Sequence, residues 1–397
     1  MRIAIESANE KKRLKILQVV PVLAYGGVEK NVVSYFNSLD TDKYMFDFIS
    51  HGKPEEYAKD LEKKGCRIYD IQTIGQIGFK GYKRRISESI DVKSYDIVHI
   101  HIGHITGLYA KAFRELGARK IICHAHTTKC INPKHNLFMP IFKHMANRYS
   151  DYRLSCGVMA GNFCFGTGKF TFLPNGIDYN LFKNVSQQDV QNLKKELGLE
   201  DCPFIVGHIG HFSKPKNHPF IIKLMSEYAK IEPSAKFVLV GDGPDKKEIE
   251  DLADQSGVKE NAVFLGVRND IPVLMKMFDV FILPSLHEGL PVVSIEAQSS
   301  GTKCLLSENI DKTLDIGAGL VKFLPLLENC NNWVNALENI RKNCDKASSL
   351  VIHDAMEKSG YDIASAAQKL EFIYEKVSGN EISKITAKET VTSADKK

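Results

Sequence analysis

No apolar run in this 397-residue chain approaches the ~20 residues that a helix needs to cross a bilayer. The first thirteen residues, MRIAIESANEKKR, are charged and mixed, so no signal peptide is expected. No Cys-x-x-Cys pair occurs among the nine cysteines, which are Cys66, Cys123, Cys130, Cys156, Cys164, Cys202, Cys304, Cys330 and Cys344. Their number is odd and several sit in apolar strand-like runs, which points to reduced, buried thiols and a reducing, cytoplasmic compartment. A strong charge of either sign is lacking too: 53 basic against 48 acidic residues leave +5, too mild to imply nucleic acid. That charge is still compatible with anionic phosphates or lipid headgroups.

What remains is an ordinary globular composition, 43% apolar and 25% charged, with enough apolar residues for two cores and a length that predicts two or three domains. Short β-rich runs alternate with helical patterns throughout. The first series of strands is Lys15–Val20, Met45–Ser50, Arg67–Ile71, Ile97–Ile102, Lys120–His124 and Tyr152–Cys156, with helices such as Val28–Leu39, Glu55–Lys64, Thr106–Leu116 and Leu137–Tyr149 between them. Such alternation predicts an α/β fold with parallel sheets covered on both faces. Pro174 and Asn175-Gly176 interrupt it, a polar helix follows at Gln187–Leu197, and a second series begins. Its strands are Phe204–Ile209, Lys236–Val240, Val263–Leu265, Val280–Leu283, Lys303–Leu306 and Leu320–Phe323. The expected division is an N-terminal extension (1–13), a first doubly wound domain (14–178), a second (179–360), an amphipathic helix at 361–377 and a polar, disordered tail (378–397). Two such domains in tandem leave a cleft, and chemistry is expected on the loops that follow strands.

The strongest motif is Leu283-Pro-Ser-Leu-His-Glu-Gly-Leu-Pro-Val-Val-Ser-Ile-Glu-Ala-Gln298, directly after a strand. Gly289 allows a sharp turn and Pro291 suits the first turn of a helix. Glu288 is therefore expected on the loop and Glu296 two helical turns in. Seven residues from Gly289 to Glu296 rise about 10 Å, the span from a sugar to the ribose of a nucleoside diphosphate sugar. Free N–H groups at the helix start favour an anion between the two carboxylates, which themselves accept hydrogen bonds from hydroxyls. Spacing alone would equally describe a helix with one N-terminal and one solvated glutamate; the Pro-Ser and Glu-Gly-Leu-Pro context separates the readings.

Three further segments follow strands of the second series. In Val206-Gly-His-Ile-Gly-His-Phe-Ser-Lys-Pro-Lys-Asn-His218, the side chains of His211, Lys214, Lys216 and Asn217 can converge on a diphosphate, or form a solvated basic turn. Val238-Leu-Val-Gly-Asp-Gly-Pro-Asp245 brings glycines, Gly241 among them, close to a ligand; without a third glycine it is no dinucleotide fingerprint. Phe264-Leu-Gly-Val-Arg-Asn-Asp270 offers the backbone of Val267 and Arg268 to a base edge, or is a plain turn. In the first half, Tyr25-Gly-Gly-Val-Glu29 bares the backbone of Gly26 and Gly27 at a helix start. Histidines cluster at His99, His101 and His104 and at His124 and His126. Alternate histidines raise a metal, but no cysteine or carboxylate stands at ligand spacing, and neutral imidazoles bonded to a hydroxyl or phosphate fit better.

These residues resemble those of the retaining glycosyltransferases of the two-Rossmann-domain (GT-B) architecture, family 4, and more narrowly of bacterial capsular or exopolysaccharide glycosyltransferases. The resemblance covers Lys15 to Val377. It rests on Glu288-x7-Glu296 within Pro-Ser-x-x-Glu-Gly-x-Pro, supported by Gly26-Gly27-Val28-Glu29, Pro174-Asn175-Gly176-Ile177-Asp178, Gly241-Asp-Gly-Pro244 and Lys216-Asn217. It implies two Rossmann-like domains facing across a cleft, with the last helix returning to the first domain. It implies that Glu288 contacts the donor sugar, that Glu296 binds the ribose, and that Lys216 binds the diphosphate beside His211, which stands where the family has arginine. A histidine after an N-domain strand lies near the reacting carbon in this family: His126 is the match, His124 the alternative. The implied catalytic group is Glu288, His126 and Lys216. The implied donor-binding set is Gly26, Gly27, His211, Lys216, Gly241, Val267, Arg268, Glu288, Gly289, Leu290 and Glu296.

The expected reaction moves a hexose or N-acetylhexosamine from a UDP-sugar to a glycan or lipid-linked acceptor, with retention. No cofactor is expected, because the nucleotide sugar is a substrate. No metal is expected either, because the one Asp-x-Asp, Asp40-Thr-Asp42, falls between a helix and a strand as a solvated loop. On the acceptor side, Lys80, Lys83, Arg84 and Arg85 cluster, and 134–148 mixes bases with Leu137, Phe138, Met139, Ile141 and Phe142. Such a surface fits the inner face of a membrane, or is an ordinary helix packed on its sheet. A nucleotide-sugar 2-epimerase would share the fold without an acceptor, and a non-catalytic partner subunit is the reading that His211 keeps alive.

Overall fold

The computed structural model describes residues 13–23, 27–54, 57–130, 133–343, 347–379 and 391–392. It divides into two compact units, residues 1–174 with 366–397, and residues 175–365. Gly26 and most of the segment expected to be a disordered tail lie outside the described residues, as does the 1–12 part of the expected extension.

The first unit is built on β1 (Leu14–Val20), β2 (Tyr44–Ser50), β3 (Ile68–Asp70), β4 (Ile97–Ile100), β5 (Lys120–Ala125), β6 (Tyr152–Ser155) and β7 (Phe170–Phe172). The second carries β8 (Ile205–Ile209), β9 (Lys236–Val240), β10 (Ala262–Gly266), β11 (Val280–Leu283), β12 (Lys303–Ser307) and β13 (Val321–Leu324). A final short strand, β14 (Val391–Thr392), pairs antiparallel with β7 in the first unit. All other ladders are parallel. Runs such as LKILQVV in β1 and KFVLV in β9 are buried almost throughout, as strands covered on both faces must be.

The strand orders are β14-β7-β6-β5-β4-β1-β2-β3 and β10-β9-β8-β11-β12-β13. Renumbered within each unit and leaving β14 aside, both run 3-2-1-4-5-6, the doubly wound order, and the first unit adds a seventh strand. Winding reverses between β1 and β4 in one sheet and between β8 and β11 in the other, where a crevice opens beyond the carboxyl ends of the strands. Phe204, Phe212, Phe220, Tyr228, Phe237 and Trp333 form the aromatic part of the core of the second unit.

Several elements differ from the sequence expectation. Strand β7 was not anticipated: three residues before Leu173-Pro174 are too few to show a period. The helix expected over Leu137–Tyr149 opens as a 3-10 turn, Pro133–Phe138, and becomes α-helical only at Met139, with Pro140 in its first turn. The last helix is Ile363–Ser378, and its residues from Ala366 onward pack within the first unit.

Candidate active site

The crevice of the second unit is bordered by the loops after β8 and β11. Each is made rigid by its own sequence. Asn217 takes a left-handed conformation (φ 59°) and donates through Nδ2 to the Pro284 carbonyl at 3.1 Å. Leu286 N–H donates to the Pro215 carbonyl at 2.8 Å. The two loops are thus stitched from both sides. Asn217, expected among the diphosphate ligands, braces the two loops through its amide.

Across that stitch Lys216 Nζ meets Glu288 Oε1 at 2.7 Å, and Ser285 Oγ donates to the same oxygen at 2.6 Å. Both charged side chains are largely shielded (18% and 12% exposed), so the pair sits in a medium where its field is weakly screened. The hydroxyl of fully buried Ser285 is a residue that sequence reasoning passed over, although the Pro-Ser of the motif marked its place.

Glu296 is placed differently from the expectation. Pro291 is extended (φ −73°, ψ 95°) and caps the helix from outside, so the helix is Val292–Ser299. Glu296 is its fifth residue, little more than one turn in, and is buried. Gly289 is half-buried and Leu290 buried in the loop that leads there. Gln298, also unforeseen, fixes this helix: it donates to the Leu314 carbonyl at 2.9 Å and accepts from Ile316 N–H at 3.1 Å.

The loop after β9 lies against the loop after β8, and Gly241 N–H donates to the Gly266 carbonyl at the end of β10. Gly241 has φ 132°, and a Cβ there would stand 2.1 Å from the Gly210 carbonyl oxygen; at Gly243 it would stand 2.3 Å from that of Phe212. Only glycine lets these backbones pass so closely. Val267 is 75% exposed. Arg268 is held by Asp270 (2.8 and 2.6 Å) and Glu196 (2.9 Å), which leaves its backbone, rather than its guanidinium, to meet a ligand. His211 is exposed. Two histidines of the same segment are buried behind the loop: His208, whose Nδ1–H donates to the Ile282 carbonyl at 3.0 Å, and His218, stacked on Phe212. Burial, with Lys216 nearby, lowers His218 to about 4.

In the first unit the helix Gly27–Ser38 opens after β1, with Gly27 exposed. The histidines were expected at strand ends, open to a ligand. Instead His99, His101 and His124 are enclosed, because the last helix lays Tyr374 over them. His126 is half-buried. Burial drives all four rings downward, His126 to about 3, so they are neutral at physiological pH. Ligand atoms of His99, His101 and His124 lie within 4.8 Å of one another. Both nitrogens of His101 are already hydrogen-bonded, to His126 and Gln18, so the trio does not present three free lone pairs.

Fold and crevice together define a doubly wound α/β protein whose second unit brings an ammonium and two carboxylates to the carboxyl edge of its sheet. Relatives narrow that class. The family model "Glycosyl transferases group 1" matches residues 189–316. The putative glycosyltransferase EpsF of Bacillus subtilis is 32% identical over 358 residues, 88% of this chain and 93% of the relative. The UDP-Gal:alpha-D-GlcNAc-diphosphoundecaprenol alpha-1,3-galactosyltransferase of Escherichia coli is 25% identical over 93% of this chain and 98% of its own length. Among solved structures, Anabaena HepE in complex with UDP superposes with a TM-score of 0.77, covering 91% of this chain and 100% of that one at 18% identity. The chain belongs to the group 1 glycosyltransferases.

Proposed function

We propose that this glycosyltransferase moves a hexose or N-acetylhexosamine from a UDP-sugar to a glycan or lipid-linked saccharide in capsule or exopolysaccharide biosynthesis, with retention and without a metal. The observation that carries the reading is the Lys216–Glu288 pair at the β8/β11 crevice, with Glu296 on the helix beyond. An ammonium suits diphosphate oxygens, and a carboxylate suits paired sugar hydroxyls. Glu296 would accept from the ribose. The helix start at Val292 and Lys216 would oppose charge on the departing diphosphate as the bond from the anomeric carbon to it breaks. The acceptor oxygen forms the new bond on the same face, and its proton passes to the leaving phosphate. His126 is assigned to the sugar side of the reaction. The named substrates of the E. coli relative, and the UDP held by HepE, support the choice of donor.

Incubation with labelled nucleotide sugars and a lipid-diphosphate-sugar acceptor tests this. A labelled lipid product is expected. Isomerised free donor would turn the reading toward an epimerase, and binding without turnover toward a partner subunit.

No helix among the described residues is long and apolar enough to cross a membrane. Leu137 (82% exposed), Ile141 (55%) and Phe138 nonetheless project beside exposed His144 and Arg148. We assign this ridge to the anionic surface that carries the acceptor. Each apolar side chain immersed contributes about 2 kcal/mol. Leu137→Glu with Ile141→Glu is expected to lower binding to phosphatidylglycerol vesicles at least about 100-fold in a flotation assay. Unchanged flotation would exclude the ridge.

A further inference from the structure

Two donors converge on one oxygen of Glu288, and they differ in what holds them. Lys216 Nζ reaches Oε1 from the loop after β8, at the end of a long, flexible stem. That stem lies over Gly210, where a Cβ would stand 3.3 Å from both Cδ and Cε of Lys216. Ser285 Oγ reaches the same oxygen at 2.6 Å from three residues away on the same loop as Glu288. An ionised carboxylate only accepts, so the serine hydroxyl gives its single proton to that bond.

Ser285 is the better fixed of the two. The bonds that stitch the loops together fall on the residues either side of it. The Pro284 carbonyl accepts from Asn217 Nδ2 at 3.1 Å, and Leu286 N–H donates to the Pro215 carbonyl at 2.8 Å. Only χ1 stands between this pinned backbone and the hydroxyl oxygen, and the side chain is fully buried. Lys216 is instead a point charge with three N–H groups, 18% exposed.

The difference matters when an anion enters the crevice. A diphosphate carries more negative charge than one carboxylate and draws the ammonium toward itself. Glu288 then gives up part of its hold on Lys216 at the stage when it has to receive a sugar. The hydroxyl of Ser285, shut in behind the loop, has nowhere else to turn.

We propose that Ser285 is a positioning residue for the transfer reaction: it keeps the Glu288 carboxylate in place for the sugar while Lys216 turns to the diphosphate. Its role toward sugar rests on the assignment of Glu288 and Lys216 above; the bond that holds Glu288 does not. A carboxylate released from the serine would move among rotamers, of which a fraction suit the sugar. Ser285→Ala is therefore expected to lower kcat about 10-fold, as for groups that orient a site residue from behind. The KM for donor and the affinity for UDP alone are expected to change little.

Two measurements separate positioning from simple packing. The first is a double-mutant cycle on kcat/KM. A serine that acts through Glu288 has nothing left to position in Glu288→Ala, so adding Ser285→Ala to that variant is expected to cause no further loss. Losses that multiply overturn the positioning role. The second is the carboxyl carbon resonance of Glu288 in protein labelled with 13C at glutamate, assigned by its absence from Glu288→Gln. Ser285→Ala is expected to shift it, and to shift it more with UDP bound than without, because Lys216 then turns to the diphosphate. A resonance left in place, or a shift that UDP does not enlarge, overturns the hold on Glu288. Ser285→Cys keeps nearly the same size with a weaker donor; it is expected to fall between serine and alanine in both measurements, and serves where the alanine variant does not fold. Near-normal transfer by Glu288→Ala beside a shifted resonance overturns only the role toward sugar.

Discussion

Glu288→Ala is expected to lower kcat/KM for transfer by about 100-fold or more, which corresponds to about 2.7 kcal/mol of transition-state stabilisation. The size follows from what meets at that carboxylate. Glu288 accepts from Lys216 and Ser285, both shielded from water. In the proposed role, truncation takes away the acceptor for the sugar hydroxyls. It also takes away the anchor of the Lys216 ammonium, proposed to face the diphosphate, so one change would disturb both ends of the breaking bond. Glu288→Gln keeps the shape and one oxygen while removing the charge, and is expected to fall between alanine and wild type. Steady-state rates against donor concentration give the result, with a thermal melt to confirm folding. Turnover of the alanine variant within a few-fold of wild type would remove Glu288 from the reacting centre.

Acid is expected to unfold the protein well above the carboxylate range. His126 binds its proton near 6.5 when unfolded and only at about 3 when folded. Between those values the unfolded chain holds more protons, so stability is present above about 6.5 and is lost as pH falls toward 3. From pH 7 to pH 5 this one ring costs about 2 kcal/mol. His99, His101 and His124 are shifted the same way by the same burial, as are His208 and His218 in the second unit. All of them act in the same direction, so each unit loses stability as pH falls below the unfolded histidine range. Urea titrations at pH 7 and pH 5 should show the unfolding midpoint fall steeply. A midpoint that stays level would mean that these rings take up protons in the folded state.

The two series of βα units could be read from the sequence because strands buried on both faces are nearly continuous apolar runs, and such runs survive without knowledge of what they touch. The motif loops were equally visible, since Gly241, Asn217 and Pro291 act locally on the backbone. Misplacing Glu296 by most of a turn shows the limit of that local reading: whether Pro291 enters the helix or caps it depends on how the loop is stitched to Pro215, far away in sequence. The histidines mark a harder limit. Their spacing on β4 and β5 was plain, yet what surrounds them comes from Gln18 and Tyr374, 356 residues apart. No periodicity announces a tyrosine that closes a chamber built mostly by residues between Gln18 and Leu173. His208 and His218 were hidden for a related reason, as the same segment holds more conspicuous cations.

That late tyrosine also bears on how the protein is made. The first unit needs residues from Ala366 onward, whereas everything in the second lies between Asn175 and Ser365. A ribosome therefore delivers a complete second unit while the first still lacks the helix that carries Leu370 and Tyr374 into its core. Until those residues emerge, Gln18 and the histidines lack their cover. The half of the chain synthesised first is thus the half that finishes folding last, which inverts the usual vectorial order of domain folding.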